Sequence, residues 1–309
     1  KVSESLEFLK TYDLLGEFMD RPQVGILGGT GLGDALGRRL KDVTLENVQT
    51  PFGRPSGPIL IGTLGANRIA FLSRHGTGHR FNPSQVPYAA NIFALKKLGV
   101  TSLIASGAVG SLQSKIAPRD LVLVDQFIDK TFRRQNTFFD QLGAVHVEFS
   151  HPCCRRLREK LQSAAEHISA SVHPDGTYVC MEGPQFSSRA ESLMHRRWGA
   201  DLIGMTALPE AKLAREAQMC YALVALVSDY DCWREHSPDQ SRHSLLQEIL
   251  GNLNEATENA IGLFERLLET DGGLAEDCCD CRKALELAVW TGPDALDLQA
   301  KAKLSVLFD

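Results

Sequence analysis

Short apolar runs alternate with amphipathic stretches along the chain, and that alternation restricts the fold more than any other feature. Val24–Leu27, Arg68–Ser73, Ser102–Ala105, Leu121–Asp125, Thr177–Met181, Asp201–Gly204 and Ala222–Ser228 are short and apolar, bounded by glycine or polar clusters, and are expected as strands. Ser84–Leu98, Cys153–His167, Ser188–Trp198, Leu208–Gln218, Ser244–Leu268 and Arg282–Val289 carry helical periodicity. Strand and helix in alternation predict an α/β chain, a single domain with a central mixed β-sheet flanked by helices. No Pro/Gly/Ser linker or internal repeat divides residues 23–309. Residues 1–22 are expected as an N-terminal helical extension, because Leu6, Leu9, Leu14, Leu15, Phe18 and Met19 fit one amphipathic face.

Charge and composition remove several classes of function. The net charge is −5 and no basic tract is present, so nucleic acid is not expected as a partner. No apolar run reaches the roughly 20 residues of a membrane span. The acidic N-terminal stretch does not read as a signal peptide. Eight cysteines without regular short spacing predict a cytoplasmic protein with mostly reduced thiols. "DCCDC" offers Cys278, Cys279 and Cys281, but no fourth ligand is near in sequence, so loop thiols or a local disulfide are expected there and no metal site.

In open α/β sheets ligands sit beyond the carboxyl ends of strands, and the polar and glycine-rich clusters of this chain fall there. "GGTGLG" does not fit G-x-G-x-x-G and lacks G-K-[ST]. It is a tight turn or, with the Thr30 hydroxyl, an anion cradle. In "SRHGTGHRF", Arg74 can fork onto an anion and His75 can add a donor; a surface salt bridge is the plainer reading. His75 and His79 are four apart, but two intervening glycines argue against a helical metal pair. "ASGAVGSL" has small residues suited to a ligand or to close helix–sheet packing. In "MEGPQFSSRAES", Ser188 and Glu191 have capping-box spacing, and Phe186 stands either in the core or at a mouth where it can stack on a flat ligand. "YALVALVSDYDCW" ends a buried run with two carboxylates. Asp229 and Asp231 should share one face, where like charges raise each other's pKa. No nucleophile motif is present.

Taken in order, "GILGGTGL", "SRHGTGHRFNPSQVPYAANIFALKKLGV", "GAVGSL", "DQFIDKT", "EGPQFSSRAES", "GADLIGMTALPEAKLAREA" and "SDYDCW" resemble the 5′-methylthioadenosine phosphorylases, within the trimeric branch of the purine nucleoside phosphorylases. The resemblance covers about Val24 to Leu268. It implies a pentosyltransferase in which phosphate, a co-substrate, attacks C1′ of a nucleoside and a purine leaves, with no metal or organic cofactor. It implies phosphate binding at Thr30, Arg74, His75, Ala108 and Thr206. It further implies purine and ribose contacts at Phe186, Ser187 and Met205, and His79 in a loop near sugar and phosphate. Asp229 and Asp231 match the pair that selects adenine: a protonated Asp229 would donate to N7 and accept from the 6-amino group. His146 matches a residue that reaches a neighbouring subunit's site, which implies a homotrimer with shared sites and a small-molecule nucleoside as the partner.

Two positions depart from the family pattern. Gly107 stands where threonine or serine is common, which implies weaker phosphate binding. The segment "REHSPDQSRHSLLQEIL" replaces the usual valines around the 5′ group. Arg242 or His243 falls at the wall position, with Leu245 or Leu246 beside it. His243 therefore carries an alternative: a purine nucleoside phosphorylase of broader specificity that accepts adenosine or other 5′-hydroxyl nucleosides.

Overall fold

The computed structural model describes residues 21–29, 31–235, 241–269, 274 and 279–308. The expected N-terminal helix lies almost wholly outside the described residues. In chain order the elements are β1 (Val24–Gly28), α1 (Leu32–Gly37), β2 (Lys41–Glu46), β3 (Ile59–Leu64), β4 (Asn67–Ser73), α2 (Tyr88–Lys97), β5 (Ser102–Ser111), β6 (Leu121–Val124), β7 (Gln126–Lys130), α3 (Arg155–Ala165), β8 (Val172–His173), β9 (Thr177–Met181), α4 (Arg189–Arg197), β10 (Leu202–Gly204), α5 (Glu210–Glu216), β11 (Cys220–Tyr230), α6 (Arg242–Glu269) and α7 (Leu298–Lys303).

The strands form one mixed sheet ordered β2-β3-β4-β1-β5-β10-β9-β7, with β11 between β5 and β6, and β8 beyond β6. Alternation along β11 explains why its sequence is apolar throughout. Tyr221, Leu223, Ala225 and Val227 enter one apolar cluster, while Cys220, Ala222, Val224 and Leu226 enter the other. Both faces of this strand are covered, so neither can be polar. α2 and α5 supply buried residues to the first cluster; α1, α3 and α6 supply them to the second.

β5 is the axis of the fold. Ser102–Ala105 pairs with β1 in parallel, Gly110 and Ser111 pair with β10 antiparallel, and β11 runs beside the whole strand. The "SGAVGS" and "SDY" clusters were expected beyond strand ends; they lie inside β5 and β11 instead. Mutual pairing from Ser102↔Cys220 to Ser111↔Tyr230 extends both strands, with a register shift between Val227 and Asp229.

Other boundaries moved for identifiable reasons. The helix expected from Ser84 starts at Tyr88, because Pro87 occupies its N-cap and a short 3-10 turn, Pro83–Gln85, precedes it. The helix expected over Arg282–Val289 is a 3-10 turn, Asp280–Lys283, followed by irregular chain. Its backbone bonds within short turns and also across the fold: Ala288 O accepts from His146 N–H (2.9 Å), and Trp290 N–H donates to Ala144 O (2.9 Å). β2 escaped the pattern because all six of its residues are exposed, so no apolar alternation marks it. No described helix is long and apolar enough to cross a membrane.

Candidate active site

β1, β4, β5 and β11 deliver their clusters to one cleft of about 600 Å³. It is lined by Arg74, His75, His79, Ala108, Phe186, Ser187, Met205, Thr206, Asp229, Asp231 and Leu246 among the expected residues. Thr30 lies outside the described residues, next to the lining residue Gly29.

Arg74 follows β4 and is fully buried. It lines the cleft, but most of its fork is spent inside the protein. Nε and Nη2 donate to the two Glu210 carboxylate oxygens (2.6 and 2.9 Å), Nη1 to Ser106 O (2.6 Å), and Nη2 also to Leu27 O (3.2 Å). A guanidinium has five N–H donors. Only one, on Nη1, is left for a ligand. Burial opposes the charge, but the Glu210 carboxylate overcomes it and holds Arg74 well above its usual range. Glu210 in turn accepts from Tyr221 Oη (2.9 Å). Sequence reasoning missed Glu210: as the first residue of α5 it looks like a helix-start acid, and only the tertiary fold shows its partner.

His75 also differs from its expected part as a donor. Its Nδ1 lies 2.8 Å from Phe81 O, and a carbonyl only accepts, so Nδ1 carries the proton. Burial pushes its pKa down to about 4, helped by Arg74 and only partly opposed by the Phe81 bond. The ring is therefore neutral at pH 7 and Nε2 is an acceptor. His79, with φ 57°, stacks on it at 4.2 Å between centroids and 9° between planes. The two rings sit on a turn, not on a helix face.

Gly107 lies between Thr206 and Arg74. A Cβ there would stand 3.4 Å from Thr206 Oγ1 and 3.7 Å from Arg74 Nη1. The next residue, Ala108, is exposed and lines the cleft. Met205 packs under Gly183, whose φ of 70° no ordinary side chain favours; a Cβ there would meet the Met205 sulfur at 2.6 Å. Arg134 fixes this loop by donating from Nη1 to Met205 O (2.6 Å) and from Nη2 to Glu182 O (2.7 Å). It is a second positioning residue that sequence reasoning missed. Ser188 and Glu191 form the expected capping box of α4, which anchors Phe186 and Ser187 just before it. Phe186 is 87% exposed at the mouth, not in the core.

The acid pair is built by the end of β11. Asp229 Oδ1 lies 2.6 Å from Ser228 Oγ, and Ser228 O accepts from Asn252 Nδ2 (3.0 Å). Asp231 is buried, its N–H donates to Ser111 O (3.0 Å), and its Oδ2 has no hydrogen-bond partner among the described residues. Such a buried acceptor calls for a donor from a ligand.

The opposite wall comes from α6. Leu246, Ile249, Leu250 and Leu253 line the cleft at the i, i+3, i+4, i+7 spacing of one helical face. His243 does not join them; it is exposed on the first turn of α6, outside the lining. Arg242 is exposed beside it. His146 is exposed and also outside this chain's cleft, with its ring edge against Trp290 at 5.0 Å.

A polar floor, an acid pair and an apolar wall meet in one cleft of a mixed α/β sheet, an arrangement of an enzyme that handles a small amphipathic substrate. The chain belongs to the phosphorylase superfamily, whose family model matches residues 23–269. It is 44% identical over 289 residues to the S-methyl-5′-thioadenosine phosphorylase of Cereibacter sphaeroides, covering 93% of this chain and 97% of that protein. Among solved structures it resembles a methylthioadenosine phosphorylase from an Antarctic soil metagenomic library, with TM-score 0.82 and 38% identity over 93% of this chain and 99% of that one. It also resembles an adenosine/methylthioadenosine phosphorylase variant from Schistosoma mansoni in complex with methylthioadenosine, with TM-score 0.76 and 36% identity over 86% and 96% of the two chains.

Proposed function

We propose that this chain cleaves 5′-methylthioadenosine with phosphate, releasing adenine and 5-methylthioribose 1-phosphate in methionine and purine salvage. The observation that carries the reading is one cleft with a polar floor at Arg74, Thr206 and Ala108, the Asp229–Asp231 pair, and an apolar wall from α6. The wall suits a methylthio group, which gains by leaving water. The broader alternative rested on His243, which stands outside this wall.

In the proposed mechanism, phosphate takes the last Nη1 donor of Arg74, the Thr206 hydroxyl and backbone around Gly107 and Ala108. His75 accepts a hydrogen bond at Nε2 from a hydroxyl of the phosphate rather than donating to it. Met205 lies under the ribose, His79 lies near sugar and phosphate, and Phe186 and Ser187 hold the purine. Asp229 protonates N7 as the glycosidic bond breaks, and Asp231 accepts from the 6-amino group or keeps the shared proton on the pair. These parts need no metal or organic cofactor. The reading includes a cytoplasmic homotrimer in which His146 reaches the site of a neighbouring subunit.

Base release from 5′-methylthioadenosine, adenosine and inosine, each with and without phosphate, tests it. The expected result is phosphate-dependent cleavage favouring 5′-methylthioadenosine, reduced by Asp229→Asn. Equal cleavage without phosphate would move the enzyme to the hydrolases.

A further inference from the structure

The cysteines of the C-terminal loop are not alone in space. Cys279 and Cys281 meet Cys154 and Cys220, and the four sulfurs all lie within 4.8 Å of one another. Cys154 and Cys279 sulfurs are 3.6 Å apart, and none of the four is bridged. The missing ligands that the sequence could not supply near "DCCDC" come from residues about 60 and 125 positions upstream, in the same apolar cluster. Cys154 is the N-cap of α3, Cys220 opens β11, and Cys279 and Cys281 flank the start of the 3-10 turn at Asp280. Three of the four are buried and Cys279 is partly exposed, which leaves one entry side.

We propose that these four cysteines form a structural tetrathiolate zinc site that fastens the C-terminal segment to the sheet.

Geometry favours this over chance. A Zn–S bond of about 2.3 Å places tetrahedral sulfurs roughly 3.8 Å apart. The cluster already has that spacing at Cys154 and Cys279 and needs only small side-chain movements elsewhere. Four thiolates around a divalent ion carry a net double negative charge, and positive groups are in place to meet it. Arg156 Nη2 lies 3.6 Å from the Cys220 sulfur and also donates to Leu274 O (3.1 Å). The first turn of α3 turns its N–H groups toward Cys154, which favours a thiolate there. Soft sulfur donors in a closed tetrahedron select zinc over oxygen-seeking cations. After Cys279 the chain runs through short turns, and Leu285, Ala288, Ala300, Leu304 and Leu307 are packed into the core. A metal at its start ties this segment to the start of α3 and of β11.

Elemental analysis of the protein purified from zinc-supplemented medium without chelator is the first test, paired with a thiol count. The expected result is about one zinc per chain, all eight cysteines titrating as thiols after denaturation with chelator, and loss of most of the zinc in Cys154→Ser and in Cys281→Ser. Cobalt exchanged into the intact wild-type protein should give the thiolate charge-transfer bands and visible spectrum of a tetrahedral tetrathiolate, a readout that does not depend on a variant folding. Zinc removal should lower the melting temperature by several degrees. Two results overturn the proposal: no bound zinc with eight free thiols, or only four free thiols with Cys154, Cys220, Cys279 and Cys281 found in disulfide-linked peptides.

Discussion

Arg74 acts with Glu210 attached, and this changes what its removal should do. Truncating one member of a buried ion pair strands the other, at a cost of about 3–5 kcal/mol. Arg74→Ala should therefore both raise the phosphate KM sharply and lower the melting temperature. Adding Glu210→Gln should recover much of the stability, because no buried anion remains, yet leave phosphate binding poor. Phosphate titrations and thermal melts of the single and double variants separate the two effects; recovery of both together would mean that Arg74 serves only the fold. Gly107 makes the opposite case. A side chain there meets Thr206 Oγ1 and Arg74 Nη1 at ordinary contact distances. Gly107→Ser should place a hydroxyl beside the anion and lower the phosphate KM by about fivefold, which corresponds to one net hydrogen bond of ~1 kcal/mol. An unchanged or raised KM would show that phosphate does not approach this position.

At the scale of elements, the proposed reading gives α6 the preference for the 5′ group. Leu246 is 54% and Leu250 50% exposed, large apolar surface that a helix facing only solvent would not carry side by side. Leu250→Ser should cut the ratio of kcat/KM for 5′-methylthioadenosine over adenosine by about five- to tenfold, since a methylthio group loses its apolar contact while a hydroxyl does not. A ratio unchanged by this substitution would place the 5′ group elsewhere. The existence of α6 was legible from its period, and so was Leu246. Its inward face was not, because the alignment before it is open by one residue; in the fold Leu246 lines the cleft, whereas His243, one turn nearer the helix start on the same face, does not. Strand existence was likewise legible wherever both faces are buried, as in β11. Strand ends were not: β5 and β11 run on through residues that look like loop because each strand completes the other's hydrogen bonds. The members of the cleft were readable as clusters in order, whereas Glu210 and Arg134 were invisible because their partners are distant in sequence.

Across the whole molecule, two buried titrating groups should shape stability in opposite senses. His75 is pushed down to about 4 from an ordinary value of 6.5. Between those values the unfolded chain binds a proton that the folded chain refuses, so stability falls as pH drops from about 6.5 toward 4. Glu216 is pushed up to about 7 by burial, against an opposing bond from Phe138 N–H (2.7 Å). Here the folded chain keeps a proton that the unfolded chain releases above about 4.5, so stability falls as pH rises from about 4.5 to 7. Each limb is worth at most ~3 kcal/mol. The slopes oppose one another between about pH 4.5 and 6.5, and the wild-type melting temperature should be nearly level there. Glu216→Gln removes the falling limb and should expose a melting temperature that climbs from pH 4.5 to 6.5. His75→Gln removes the rising limb and should expose a decline over the same range. Melting temperatures of the three proteins at fixed concentration and ionic strength decide the matter. Parallel profiles would mean that neither group changes its proton affinity on folding.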